Sequence, residues 1–294
     1  MYINHNQMAT NVANTLTSHY GNLQTSTQRL SSGLRVNSAA DDAAGLAIRE
    51  LMRTDIAALQ QGVRNANDAI SLIQTADGAL GVIDEKLTRM KELAEQAATG
   101  TYDSTQRLMI ESEYQAMASE ITRIANATDF NGIKLLDGNL SSSTHDGSGM
   151  TATGKLKVHF GTANDSAEDY YYIQIGTSTA SALGVGNEAD SSSAAYTVST
   201  QEAAQKALVG LTNAVVSKDK IRAHLGALQN RLENTISNLT TQAENLQAAE
   251  SRISDVDVAT EMTQFVRNQI LTQSAVAMLS QANSMPQMAM QLIG

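Results

Sequence analysis

A single proline in 294 residues constrains this chain more than any other feature. Ordinary usage is about 5%. Proline is the strongest helix breaker, because it lacks the N–H donor and its ring collides with the preceding turn. A chain almost free of it is permitted very long helices. Cysteine is absent, which removes disulfide frameworks, thiol nucleophiles and Cys-ligated zinc or iron–sulfur sites. Twenty basic residues against thirty acidic ones leave a net charge of -10. That balance disfavours nucleic acid, whose affinity comes mostly from Lys and Arg neutralising phosphates. The expectation is a mainly α rod or bundle rather than an α/β enzyme.

The two ends share an unusual composition. Residues 1–28 and 268–294 contain no Asp, Glu, Lys or Arg, whereas a solitary surface helix carries charge on its outer face. Asn, Gln, Ser and Thr instead surround a narrow apolar stripe. Near the N-terminus Leu16, Tyr20, Leu23, Leu30 and Leu34 follow 3-and-4 spacing, with Thr27 at the skipped position. Near the C-terminus Met262, Phe265, Val266, Ile270, Val276 and Leu279 lie roughly on one face. Matching ends of this kind predict that the termini pair with each other. They are expected to be loose alone and ordered only against partners, since ordering costs about 1–2 kcal/mol per residue of backbone entropy. The first residues lack the basic and apolar regions of a secretory signal. No run approaches the roughly 18 apolar residues of a membrane span.

Between the ends the helical signal strengthens. Ser38 and Asp41 have capping-box spacing. Ile56, Leu59, Val63, Ala66, Ile70 and Ile73 form a seam, continued by Leu80, Leu87 and Ala94. The companion row shifts to Ala76, Ile83, Met90 and Ala97 near Gly78 and Gly81, as a stutter would do. One helix over about 43–98 would be roughly 80 Å long. Glu85 with Arg89, and Lys91 with Glu95, have i,i+4 spacing. A break at 99–102 precedes Asp103, which is placed to cap a second helix with Leu108, Tyr114, Met117, Ile121 and Ile124 as its apolar positions. Asn131-Gly132 and Asp137-Gly138 are strong turn signals and predict a β-hairpin over about 129–140.

Residues 141–200 change character, with 19 Ser or Thr and 5 of the chain's 11 aromatics. KLKVHF (155–160), YYYIQI (170–175) and AAYTV (194–198) have strand-like content. They predict a small β-rich insert over 141–199. Ser199 and Glu202 offer a second capping box. Leu225, Leu232, Leu239, Leu246 and Ile253 then repeat every seven residues, with Ile221, Leu228, Thr235, Gln242 and Ala249 as the companion row, a strong coiled-coil or bundle pattern.

Chemistry is hard to find in this layout. The five histidines are scattered, and no H-E-x-x-H pair, P-loop or G-x-S-x-G elbow occurs. Asp41 and Asp42 read more simply as a helix start than as an acid–base pair. Tyr170–Tyr172 could form a stacking platform for bases or sugars, but without basic neighbours a strand on the insert's own core is the plainer reading. Met262, Met278, Met285, Met288 and Met290 suit adaptable packing. Nothing points to a catalytic, cofactor or metal site.

Five segments carry a family resemblance: QRLSSGLRVNSAADDAAGLAI (28–48), NANDAISLIQTADGAL (65–80), LTRMKELAEQAATGT (87–101), ITRIANATDFNGIKLLDG (121–138) and the run from Ser251 to Ile293. They resemble bacterial flagellin over about 1–140 and 200–294. The resemblance implies an extracellular filament subunit for motility, exported by the flagellar type III apparatus without a cleaved signal peptide. It implies a terminal coiled coil (1–42 and 251–294), a helical rod with its hairpin (43–140 and 200–250) and an outer insert (141–199). Leu16, Leu23, Leu30, Phe265, Ile270, Val276 and Leu279 would then make subunit packing contacts. Partners implied are further copies of the chain, an export chaperone at about 251–294, and filament cap and hook-junction proteins. Arg89, Leu93 and Glu113 match the positions through which the family meets a Toll-like receptor. A hook-associated junction protein shares the same ends and is the alternative. An adhesin-like or enzymatic insert is a remoter one.

Overall fold

The computed structural model describes residues 6–146, 153–166, 168–186 and 197–293. Five α-helices dominate: α1 (Gln7–Ser32), α2 (Ala43–Ala98), α3 (Ser104–Ala127), α4 (Gln201–Ser254) and α5 (Val258–Ile293). Three two-stranded antiparallel hairpins lie between α3 and α4, and their strands are β1 (Asp129–Phe130), β2 (Ile133–Lys134), β3 (His145–Asp146), β4 (Thr153–Gly154), β5 (Leu156–His159) and β6 (Tyr170–Ile173). The chain divides into two compact units, Met1–Ile56 with Ala243–Gly294, and Ala57–Gln242. These limits differ from the boundaries near 42 and 250 suggested by composition. The segment 141–199 is also not separate, because Val158, Ile173, Ile175, Leu183 and Val198 belong to the same core as the helices around them.

In the terminal unit α1 and α5 pack antiparallel. Asn6 Nδ2 donates to Ala282 O (2.8 Å) at one end, and at the other Arg35 N donates to Ser254 O (2.7 Å) and Val256 N to Gly33 O (3.0 Å). Gly33, at φ 73°, ends α1 in the left-handed conformation that residues with a Cβ rarely adopt. Helices α1 and α5 pair within one chain, the pairing expected from the matching composition of the two ends. The seam keeps a seven-residue beat, with Leu16, Leu23 and Leu30 half-buried and Ser26 buried between them. Tyr20 and Thr27, read as part of this stripe, point outward instead. The missing row is Val12, His19 and Ser26, which sequence hydropathy hides because two of the three are polar.

Two caps differ from expectation, by four residues on α2 and by one on α4. Asp42, not Ser38, caps α2, accepting from Gly45 N (2.9 Å). Asp41 Oδ2 instead closes a turn by accepting from Ser38 N (2.9 Å) and Asn37 N (3.2 Å). Likewise α4 is capped by Thr200, which accepts from Ala203 N (3.2 Å), rather than by Ser199. Asp103 with Gln106 makes a full capping box on α3. Asp257 caps α5, accepting from Ala259 N (3.0 Å) and, on its other oxygen, from the Thr260 hydroxyl (2.7 Å).

In the larger unit both predicted rows of α2 are fully inside: Ile73, Leu80, Leu87 and Ala94, and Ala76, Ile83, Met90 and Ala97, are each at most 1% exposed. The helix is unbroken at Gly78 and Gly81. On α3, Ile110 faces inward and Leu108 does not, lying 59% exposed. The hairpin predicted over 129–140 is shorter. Asn131 (φ 51°) and Gly132 (φ 81°) form its two-residue turn, the pairing ends at Lys134, and Leu135, Leu136 and Leu140 drop into the core. KLKVHF and YYYIQI supply β5 and β6 as expected, while most of AAYTV lies outside the described residues. Gly62 admits this hairpin to the surface of α2: a Cβ there would stand 2.1 Å from Phe160 O. One turn on, Asn65 Nδ2 donates to His159 O (2.8 Å).

Candidate functional site

The structure divides the proposed packing residues into two sets. Leu16, Leu23 and Leu30 of α1, with Phe265 and Leu279 of α5, are half-buried along the seam between the two helices. Ile270 and Val276 are not on that face and are 56% and 47% exposed. The difference arises because α5 is apolar on more than one side. Its inward rows are Glu261, Asn268, Ala275 and Ala282, and Phe265, Thr272 and Leu279, mostly small or polar. Val258, Met262, Val266 and Ile270 stand four residues apart and make an exposed apolar ridge, the kind of i±4 row that interdigitates with another helix. A helix apolar beyond the face its own chain covers is built to be covered by something else.

One polar node interrupts the seam. Glu261, 6% exposed, lies 3.7 Å from Arg29, which also approaches Asp41 at 4.0 Å. Asp41 is held below the usual carboxylate value of 3.8, first by the Ser38 backbone N–H, then by the Ser38 hydroxyl. Asp257 is lowered by the hydroxyl and then the backbone N–H of Thr260.

In the larger unit Arg89 and Glu113 meet directly. Arg89 Nη2 and Nε both donate to Glu113 Oε1 (2.8 and 3.0 Å), and Nη1 donates to Glu92 Oε2 (2.9 Å). These bonds raise the guanidinium pKa further above its usual value, Glu113 having the largest effect. Arg89 therefore turns away from Glu85, its expected i,i+4 partner, and Lys91 and Glu95 form no ion pair among the described residues. Leu93 is not beside them on the surface: it is 1% exposed and faces the core.

Two features were missed. Lys218 is 1% exposed, with its Nζ 2.5 Å from Asp84 and 2.8 Å from Asp219. Arg222 Nε lies 2.7 Å from Asp77 one turn further on. The signal was present, since Lys218 occupies the heptad row of Leu211, Leu225, Leu232 and Leu239, and Asp77 and Asp84 are themselves seven apart. Tyr170–Tyr172 also has the basic neighbours it seemed to lack. Antiparallel pairing sets Lys157 opposite Tyr172, and Lys157 Nζ lies 3.6 Å from the Tyr170 ring centre. Among the described residues no group of three or more His, Asp or Glu could hold a metal ion, and no helix is long and apolar enough to cross a membrane.

Paired terminal helices with an uncovered apolar ridge, joined to a well-packed helical unit, define a self-associating structural protein. Comparison with known proteins makes the class specific. The bacterial flagellin N-terminal helical region matches residues 3–141 and the bacterial flagellin C-terminal helical region matches 208–293. Flagellin of Bacillus subtilis is 45% identical over 310 aligned residues, covering the whole of both chains. The flagellar filament 33 kDa core protein of Treponema phagedenis is 42% identical over 293, again end to end. A putative flagellar hook-associated protein from Vibrio parahaemolyticus shares the fold at a TM-score of 0.55 and 14% identity, covering 73% of this chain and all of its own. The chain belongs to the bacterial flagellin family. It is a structural subunit of the extracellular flagellar filament, and the junction-protein alternative is not favoured.

Proposed function

We propose that the filament is built through the ridge Val258, Met262, Val266 and Ile270, with Val276 beside it, while Leu16, Leu23, Leu30, Phe265 and Leu279 first join α1 to α5 within each subunit. The observation carrying this reading is the exposure of the ridge on a helix whose last 26 residues, 268–293, hold no charge. In the assembled filament we place 1–42 and 251–294 innermost, 43–140 and 200–250 around them, and 141–199 outermost. The role is mechanical rather than catalytic. Export proceeds through the flagellar apparatus without a cleaved signal peptide, a chaperone covers about 251–294 until then, and cap and hook-junction proteins bound the polymer. Arg89 and Glu113 form the part of the Toll-like receptor contact that reaches solvent, with Leu93 supporting it from beneath.

Substitution separates the two packing sets. Ile270→Asp should abolish seeded polymerisation, seen by electron microscopy, and leave the helical circular dichroism of the free chain unchanged. Leu279→Asp should abolish polymerisation and also lower the helicity of the free chain, because it opens the seam at a half-buried site worth about 1 kcal/mol or more. Normal filaments from Ile270→Asp would refute the ridge as the assembly surface.

A further inference from the structure

We propose that the outward face of the β5–β6 hairpin, with the cleft along its edge, is a binding site for an acidic polysaccharide, a sugar chain bearing carboxylates or sulfates. The strand period puts Leu156, Val158, Tyr171 and Ile173 on the side toward the core, and Lys155, Lys157, His159, Tyr170 and Tyr172 on the other. Lys157 Nζ sits 3.6 Å from the Tyr170 ring centre and Lys155 Nζ 5.6 Å from that of Tyr172. The two tyrosines meet edge to face at 5.4 Å, while His159 stacks on Tyr170 at 6.1 Å and His145 tilts against Tyr172 at 5.9 Å. A lysine laid over an aromatic ring is already restrained, so less side-chain freedom is lost when an anion arrives. Among the described residues Lys157 Nζ donates to Asn164 Oδ1 at 3.3 Å, a long bond that an anion can displace. The neighbouring Asp169 is turned away, 8% exposed, with Oδ2 accepting from Asp165 N (2.7 Å).

The adjoining cleft supplies the groups that a bare cationic strip lacks. It has a volume of about 350 Å³, with a mainly apolar floor that includes Leu72, Phe130 and Leu156 and a polar rim of Asn65, Asp68, Asn131, Lys157 and His159. Amides and a carboxylate beside aromatic rings suit sugar hydroxyls and the apolar faces of pyranose rings, with Lys155 and Lys157, roughly 7 Å apart along the strand, receiving the anionic substituents. The net charge of -10 opposes every polyanion alike. A sugar chain is favoured because the Asn65 and Asn131 amides and the Asp68 carboxylate lining the cleft pair with hydroxyl groups, which a pyranose presents in numbers and a phosphodiester backbone does not.

The test uses the intact free chain at 0.15 M salt, where screening over about 8 Å suppresses the long-range charge. Probes are heparin, polygalacturonate, neutral dextran and single-stranded DNA, with binding read by calorimetry and by tyrosine fluorescence, which no tryptophan obscures. Heparin and polygalacturonate should bind, and dextran and DNA at least tenfold more weakly. Lys155→Gln/Lys157→Gln and Tyr172→Leu should each weaken heparin binding at least tenfold, Lys155→Arg/Lys157→Arg should retain it, and Lys91→Gln/Lys220→Gln, an equal change of charge elsewhere, should leave it unaltered. No binding by the unsubstituted chain overturns the proposal, as does equal binding of DNA or equal loss from the Lys91/Lys220 control. Because the free chain is used, these outcomes are independent of filament assembly.

Discussion

Lys218 shows how a single residue escapes pattern reading and what that costs the fold. Its side chain is almost wholly enclosed, yet Asp84 and Asp219 remain 39% and 59% exposed. The two sides of the ion pair are therefore unequal. Removing Asp84 strips a buried ammonium of one of its two carboxylates, and Asp84→Ala should cost about 2 kcal/mol in urea unfolding. Lys218→Met fills the same volume and releases carboxylates that water reaches, so it should change stability by less than about 1 kcal/mol. Equal losses would show that the pair, not the burial of the lysine, matters. Asp41 and Asp257 carry a second expectation. Their lowered pKa values mean that the unfolded chain binds protons more readily. Their contribution is therefore fully present above the usual value of 3.8 and is lost as pH falls through the lower folded values. Thermal melts of the chain between pH 5 and pH 3 should decline less steeply in Asp41→Asn and Asp257→Asn. The Ser38–Asp41 pairing was legible from its spacing, but not that α2 starts at Asp42 instead or that Asp257 caps α5, because where a helix begins is decided by local backbone geometry and not by composition.

At the scale of the element, the long helices were readable because their buried rows keep strict spacing over many turns. Ile73 to Ala97 on α2 and Leu225 to Leu239 on α4 fall where the period puts them. Leu108 and Tyr20 were misjudged because hydropathy treats every apolar side chain as a candidate core residue, whereas in an assembling protein many face out. The one proline, Pro286, lies inside α5, where its missing N–H leaves the carbonyl four residues earlier without its helical donor. That carbonyl is Ala282 O, and Asn6 Nδ2 supplies the bond at 2.8 Å while Asn6 Oδ1 caps α1 through Ala9 N (3.1 Å). Asn6→Ala should therefore destabilise the terminal unit by about 1 kcal/mol. Asn6→Ala in a Pro286→Ala background should cost less, since the helix then provides its own donor. Equal costs in the two backgrounds, measured by a double-mutant cycle, would mean that the bond does not matter.

For the whole molecule, the two units differ in how completely they satisfy themselves. The larger has rows of residues with no exposure at all, whereas the terminal unit has a half-buried seam. Amide hydrogen exchange of the free chain should be fastest in α1 and α5 and slowest in α2 between Ile73 and Ala97, and polymerisation should slow α1 and α5 by the larger factor. Fold class and paired ends were legible from the proline count and the charge-free termini. The packing residues divide between two faces of α5, and one sequence does not say which of those faces its own chain takes. That division has a further consequence. The fully enclosed positions of the seam hold small or polar groups, Ser26, Thr272, Ala275 and Ala282, and Phe265 and Leu279 are only half-buried there, while Met262, Val266 and Ile270 are left in water. With the proposed ridge covered only by neighbouring subunits, growth resembles crystallisation in one dimension. A critical concentration, below which existing filaments shed subunits and above which only their length increases, follows from apolar surface that one helix leaves uncovered within its own subunit.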